Sequence, residues 1–228
     1  MVVRQSSPGN ERSSNSLERS HPKLSPRDRI LIVCSAESAC YFQDIVDHLQ
    51  LGSRITICAT HSCDPIEQVE EALAISHQAA PHRRLFALLD QEGSPADSQE
   101  RSDPISQAKR MARHHDLPNN RIFRLILSAP GFPLWLLLHF DEVEFSALPA
   151  VEWPKKVIDK LEAYLPNAQE ADTREHYFEK TREFMALAIK RGQKQLLIQS
   201  VKAGPKTEIH ELIIYLLKLQ ERHRRLST

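Results

Sequence analysis

The sequence has little glycine, no excess of charge of either sign and no long apolar segment. Its 228 residues include only six glycines, and no segment has the G-x-x-x-x-G-K-[ST] pattern whose backbone amides cradle the phosphates of a nucleotide. A phosphate loop of that type is therefore excluded, although this absence bears only on that one mode of nucleotide binding. Thirty basic residues balance thirty acidic ones, so a surface for a polyanion such as nucleic acid would have to be local.

The apolar runs are also too short to cross a bilayer. The longest, "LWLLL" and "LIIYLL", fall far below the roughly 20 residues of a membrane-spanning helix, and the first residues lack the apolar core of a secretion signal. Four cysteines are present, Cys34, Cys40, Cys58 and Cys63. Two of them end apolar runs typical of buried strands, which favours reduced thiols over disulfides. We therefore expect a cytoplasmic protein without a membrane partner.

Short apolar runs alternate with helical patterns in the first two thirds of the chain. Each run is nearly continuous in β-branched or bulky apolar residues, which is typical of a buried strand. The predicted strands are residues 29–34, 54–59, 84–90 and 121–128. Helical spacing or composition between them predicts helices over residues 41–49, 65–79 and 103–115. This alternation predicts an α/β fold with a small, mostly parallel sheet flanked by helices on both faces.

The two ends of the chain differ from this central part. Residues 1–27 are rich in Ser, Pro, Asn and charge, and this composition predicts a disordered tail. Residues 28–150 would form the α/β domain, and residues 151–228 a helical extension packed on it. The helices predicted in that extension are residues 155–165, residues 173–191, and a last helix that starts at Thr207, whose hydroxyl can cap it.

Acidic residues follow two of the predicted strands. Glu37 comes shortly after the first strand, and Asp90 and Glu92 come directly at the end of the third. Ligands of open parallel sheets bind outside the carboxyl ends of the strands, and carboxylates are the ligands that suit Mg²⁺ or Mn²⁺. Such a metal could stabilise charge on a phosphoryl group and activate water. The alternative is structural: Asp90 opens a turn with Gly93, and Glu37 begins a helix.

The segment "SAPGFPLWLLLHF", residues 128–140, resembles a motif of the RloB family. The matching residues are Ser128, Pro130, Phe132 and all of Trp135 to Phe140, while "ILIVC" with Tyr41 and Phe42, Asp90, and "GPKTEIHELIIYL" near the end resemble three further family segments. The resemblance implies a Toprim-like fold. It also implies a glutamate after the first strand and a D-x-D pair after the third that hold a divalent metal for cleavage or strand transfer of nucleic acid. Family members are associated with bacterial restriction and abortive-infection loci, often beside an ATPase partner.

The chain departs from the family pattern where the chemistry would take place. Ser35 stands at the position of the family's first acid, Glu92 at that of the second Asp of D-x-D, and Pro133 at that of a glutamate before the tryptophan. Two hypotheses follow. In the first, Asp90 and Glu92 bind Mg²⁺ or Mn²⁺, and Glu37 completes the site or acts as the acid/base of a nuclease. In the second, the chain is a catalytically eroded sensor or scaffold for an ATPase or restriction complex.

Other candidate sites have simpler readings. Cys58, His61 and Cys63 could supply three zinc ligands, but no obvious fourth ligand is present, and the Cys34–Ser35 pair lacks the glycine-flanked elbow of an acyl-transfer nucleophile. Basic residues of the third predicted helix could contact nucleic acid or form a solvated face; they are Lys109, Arg110 and Arg113. His139 and His210 lie among apolar residues, where a hydrogen-bonded core imidazole is commoner than a catalytic base.

Overall fold

Among the residues that the structure describes, the sheet has five strands in the order β2-β1-β3-β4-β5. The computed structural model describes residues 29–60, 62, 64–78, 82–91, 104–114, 122–143, 148–166, 176–199 and 204–227, so the predicted tail and Glu92 lie outside it. The strands are β1 (Ile30–Ser35), β2 (Ile55–Thr60), β3 (Arg84–Asp90), β4 (Ile122–Ala129) and β5 (Lys206–Thr207). The first four are parallel, and β5 pairs with β4 in the antiparallel sense. The predicted α/β class and its four strands are confirmed, each within one residue at its ends.

Helices cover the sheet and make up most of the described residues after β4. They are α1 (Ala36–His48), α2 (Pro65–Gln78), α3 (Pro104–His114), α4 (Phe132–Phe140), α5 (Trp153–Glu162), α6 (Tyr177–Thr181), α7 (Met185–Gln199) and α8 (Ile209–Ser227), with short 3₁₀ turns at Ala150–Glu152 and Arg182–Phe184. In the described part of the chain, none of them is long and apolar enough to span a membrane.

Several helices differ from the sequence prediction. Helix α4 was not predicted, and α5 spans Trp153–Glu162 rather than residues 155–165. Helix α1 starts at Ala36 rather than Tyr41, directly after β1. The single helix predicted over residues 173–191 is divided by the 3₁₀ turn between α6 and α7, and its first residues lie outside the described range. The last helix starts at Ile209 rather than Thr207, which instead pairs with β4 as part of β5 while its Oγ1 accepts a hydrogen bond from the Ile209 amide at 3.3 Å.

One large apolar cluster joins the sheet to the helical second half. It contains side chains of β1 and α1 together with others from α4 to α8, among them Trp135, Trp153, Tyr177 and Leu212. The opposite face of the sheet is covered by α2 and α3 through smaller clusters that include Val69, Leu73 and Ile105. The C-terminal helices thus pack on the sheet's own core, while the division at residue 150 stays a prediction.

Helix α7 approaches α8 closely at Gly192. A Cβ at this position would lie 2.8 Å from His210 Nδ1 and 3.1 Å from its Cγ. The imidazole is buried, and Nδ1 lies 3.1 Å from the Thr207 carbonyl oxygen, so Nδ1–H donates to it. Glycine is therefore required here for close helix packing rather than for its backbone freedom.

Gly192→Ala is expected to destabilise the protein by about 1–3 kcal/mol, because the added methyl group must displace His210 and weaken its hydrogen bond to Thr207. Urea unfolding would measure the effect. Gly52→Ala is the matched control, since its Cβ would meet only Asp47 Oδ1 at an ordinary 3.8 Å. Equal stability of the two variants would show that α7 moves away from α8 without cost.

Candidate active site

The carboxyl ends of β1 and β3 meet through a hydrogen bond between Ser35 and Asp90. Ser35 ends β1 and precedes α1, and Asp90 ends β3. The Ser35 hydroxyl makes no capping bond to α1 but donates to Asp90 Oδ2 at 3.0 Å. The position of the family's first acid is thus in direct contact with Asp90, although here it carries a hydroxyl group.

Ser38 extends this contact into the first turn of α1. Its hydroxyl is buried, lies 3.0 Å from Ser35 Oγ and donates to the Ser35 carbonyl oxygen at 3.1 Å. Ser38 could not be predicted as a site residue from the sequence, because a serine one turn into a helix carries no signal of its own. The three side chains form a polar row from α1 to β3.

The turn after β4 forms the other wall beside Asp90. Asp90 and Ser128 are register partners, and the Gln91 amide donates to the Ser128 carbonyl oxygen at 2.8 Å. The Ser128 hydroxyl donates to the Gly131 carbonyl oxygen at 2.7 Å. Gly131 has a φ of +98°, which favours glycine, and a Cβ there would lie 3.9 Å from Asp90 Cβ. The family-like segment therefore begins with a turn that packs against the candidate metal ligand.

Pro133 occupies the first turn of α4, directly after this glycine turn. Proline is well tolerated there, because the first amides of a helix have no intrahelical partner. A residue that the resemblance marks as a lost acid is thus a favourable helix-starting residue in this chain.

Glu37 lies on the same edge of the sheet as Asp90, in the first turn of α1 and half-buried. A negative charge there interacts favourably with the positive end of the helix dipole. A structural role for Glu37 at the start of α1 is therefore supported as well as a catalytic one. Among the residues that the structure describes, no three His, Cys, Asp or Glu side chains are grouped closely enough to hold a metal ion. Glu92, the predicted second ligand, is outside those residues.

The two cysteine-based candidates gain no support. Cys34 is fully buried, and burial raises the pKa of its thiol to about 12, so it is a poor nucleophile. Cys58 lies in β2, where burial also raises its pKa. His61 and Cys63 fall outside the described residues, so the zinc prediction stays a prediction.

His139 belongs to a buried hydrogen-bond chain. Its Nδ1 lies 3.0 Å from the Trp135 carbonyl oxygen, which can only accept, so Nδ1 carries the proton. Its Nε2 then accepts from the Tyr41 hydroxyl at 3.3 Å, and the Tyr41 oxygen accepts from Trp135 Nε1 at 3.0 Å. Burial lowers the pKa of His139 to about 4 and raises that of Tyr41. This is the neutral core imidazole that the sequence analysis favoured over a catalytic base.

Helix α4, which carries this imidazole, is held at its end by an arginine of α7. Arg191 Nη1 donates to the carbonyl oxygens of Leu138 and His139 at 2.8 and 2.9 Å. These are orphan acceptors of a helix C-terminus. The segment that carries the family resemblance is therefore fixed from both sides, by Tyr41 and by Arg191.

The comparisons with known proteins identify one family. The family model described as RloB-like protein matches residues 30–216. This chain belongs to the RloB-like family. The match runs from β1 into α8 and so includes the Ser35–Asp90 contact and helix α4. Neither the search of curated proteins nor the search of solved structures found a match.

Proposed function

We propose that this RloB-like protein is a divalent-metal-dependent nuclease component of a bacterial antiphage defence system, acting with an ATPase partner. The observation that supports it most directly is the hydrogen bond from Ser35 to Asp90. It joins the two strand ends after which the family resemblance expects metal-binding acids. Family membership supports the class of function. The ATPase partner is included because family members are associated with one, which agrees with the absence of a phosphate loop in this sequence.

In this proposal Asp90 is the central metal ligand, and Glu92 and Glu37 complete the set. These oxygen donors fit Mg²⁺ or Mn²⁺ by their chemistry. A metal bound there would stabilise negative charge on the phosphoryl group being cleaved. Ser35 positions the Asp90 carboxylate through its hydrogen bond to Oδ2, and Gly131 lies next to Asp90 on its other side.

A second function, that of a catalytically eroded sensor or scaffold, is favoured by the chemistry of the same contact. The side chain that reaches Asp90 from β1 is a neutral hydroxyl and not a carboxylate, so it adds no negative charge to attract a cation. The fold and the buried α4 segment do not depend on that acid. A chain of this kind could keep the surface that docks a partner after losing metal affinity.

Calorimetric titration with Mn²⁺ and Mg²⁺, followed by a nuclease assay, separates the two functions. We expect the wild-type protein to bind metal, and Asp90→Ala to lose binding and at least about 100-fold in cleavage rate, as expected when a group that stabilises transition-state charge is removed. Asp159→Ala, which removes an exposed carboxylate of α5, is the control and should change neither.

Ser35→Glu gives the complementary test, because it restores an acid beside Asp90. Under the nuclease proposal, the Ser35→Glu protein should bind metal more tightly than the wild-type protein does. If the wild type binds no metal and Ser35→Glu does, the site is eroded and the nuclease proposal is wrong for this chain; co-purification with a partner would then favour the scaffold function. If neither protein binds metal, Asp90 is not a metal ligand and the nuclease proposal is wrong.

A further inference from the structure

Three arginines lie side by side at the amino edge of the sheet, the end at which the four parallel strands begin. Arg54, Arg29 and Arg83 directly precede β2, β1 and β3. The Ile30 amide donates to the Arg54 carbonyl oxygen at 2.8 Å, and the Arg83 amide donates to the Arg29 carbonyl oxygen at 2.9 Å. Their backbones are therefore neighbours at the strand spacing of about 4.8 Å. Arg84, the next residue, is not part of this row, because its guanidinium packs over the Tyr215 ring, 5.1 Å from the ring centroid.

Helix α8 brings further basic residues to this edge. It starts beside the carboxyl end of β4, where the Glu208 amide donates to the Leu127 carbonyl oxygen at 2.7 Å. Near its other end, Arg54 Nη2 lies 3.2 Å from His223 Nδ1. The helix therefore runs against the strand direction, and its basic last turns, including the exposed Arg222, lie at the amino edge.

Helix α3 contributes from the other face of the sheet. It leads into β4, which starts at the amino edge, so the crossover directs its last turns toward that edge. Arg110 and Arg113, which the sequence analysis selected with Lys109 for nucleic-acid contact, are exposed there. They are thus placed with the arginine row and not with Asp90 at the opposite end of the sheet.

In the described part of the chain, Arg29, Arg54 and Arg83 take part in none of the ion pairs. Like charges on neighbouring strand starts repel one another, and a bound polyanion would remove that repulsion. Helix dipoles favour cations at the ends of α3 and α8. They give no reason for arginines at three successive strand starts, so the row needs another explanation.

We propose that the amino edge binds the phosphate backbone of a nucleic acid through Arg29 and Arg83, with Arg54, held in contact with His223, adding positive charge beside them. The planar guanidinium fork matches phosphate oxygens in a bidentate manner, and a regular row of cations suits the regular phosphates of a nucleic-acid strand better than the scattered carboxylates of an acidic protein. Contacts of this kind position a nucleic acid without reading its bases. The edge is separated from Asp90 by the length of β3, about 23 Å, so this binding does not depend on the proposed metal site.

Fluorescence anisotropy with short labelled oligonucleotides, as single strands and duplexes of DNA and RNA in EDTA, tests the proposal. The variant is Arg29→Gln/Arg83→Gln, which leaves the Arg54 contact with His223 in place. We expect it to bind at least about tenfold more weakly and to lower the slope of log affinity against log salt by roughly 2 for a duplex, one for each lost phosphate contact. Arg29→Lys/Arg83→Lys should restore most of the affinity, and Lys155→Gln/Lys156→Gln, an equal loss of charge on exposed positions of α5, should bind as the wild type does.

Several outcomes would overturn the proposal. They are no binding of any oligonucleotide by the wild type at low salt, an equal loss of affinity in the α5 control, and binding of polyglutamate without binding of nucleic acid, which would make the edge a surface for an acidic protein. Repeating the titration with Asp90→Ala separates this proposal from the nuclease. A protein that binds nucleic acid in EDTA but neither binds metal nor cleaves would support the amino-edge site and overturn only the catalytic function.

Discussion

Trp135→Ala is expected to lower the free energy of unfolding by about 3–5 kcal/mol, the usual cost of removing a large aromatic side chain from a core. Trp135 is fully buried in the middle of the main cluster. The variant also removes the Nε1 donor from the Tyr41 hydroxyl, which leaves a buried polar group with one fewer partner. Both losses act in the same direction, so this should be the most destabilising substitution that we predict.

Urea unfolding monitored by far-UV circular dichroism would measure the change. Trp135→Phe keeps most of the ring and loses the donor, so it should fall between the wild type and Trp135→Ala. Val151→Ala, at a side chain that is 73% exposed, should leave stability within about 0.5 kcal/mol of the wild type. A Trp135→Ala protein as stable as the Val151→Ala protein would mean that the α4 core refills without cost.

The role of Trp135 explains what the family-like segment encodes. Its seven buried residues from Phe132 to His139 serve packing, and its histidine serves a hydrogen-bond chain that starts at Tyr41. The residues of this segment are therefore needed for the fold. A chain can therefore keep the most specific part of the resemblance whether or not the acids at the carboxyl edge still bind metal, and the segment is an argument for fold and not for catalysis.

The main strands could be predicted because each is a short, continuous run of apolar residues. Helix α4 was missed although it is also a continuous apolar run, because such a run shows no helical period. The other missed parts have no apolar pattern. Strand β5 contains only Lys206 and Thr207, and it exists because the end of β4 offers it backbone partners. The first turn of α1, "AESAC", has no apolar period of its own. Its position follows from the end of β1 and from the packing of Tyr41 and Phe42 in the core.

At the two edges of the sheet, too, some residues could be predicted from the sequence and others could not. The rule for open parallel sheets was sufficient to place Asp90 beside the residue that ends β1. It could not indicate Ser38 or Gly131, because one contributes through a local hydrogen bond and the other through the absence of a side chain. Arg29, Arg54 and Arg83 are far apart in the sequence, and only strand register makes them neighbours.

Stability is expected to fall as the pH is lowered from about 6.5 to about 4, with His139 as a major cause. The folded protein holds this imidazole neutral, because burial lowers its pKa from 6.5 to about 4. Between these values the unfolded chain binds a proton that the folded chain does not, so unfolding is favoured as the pH falls. A difference of this size corresponds to about 3 kcal/mol. This destabilising effect of His139 is absent above the pKa of the unfolded chain, 6.5, and is complete below about pH 4.

His139→Gln isolates this effect, because glutamine can occupy the same hydrogen-bond chain without titrating. At pH 7 the variant should be less stable than the wild type, since it replaces a buried ring that packs edge-on against Trp135 at 4.9 Å. When the pH is lowered to 4, the difference in free energy of unfolding between wild type and variant should shrink by about 3 kcal/mol. Only the wild type has an imidazole here that takes up a proton more readily in the unfolded chain. Carboxylates and His210 are common to both proteins and cancel in the comparison. A difference that stays constant across this range in urea titrations would mean that His139 takes up its proton in the folded protein at an ordinary pH, and the neutral Trp135–Tyr41–His139 chain would then be wrong.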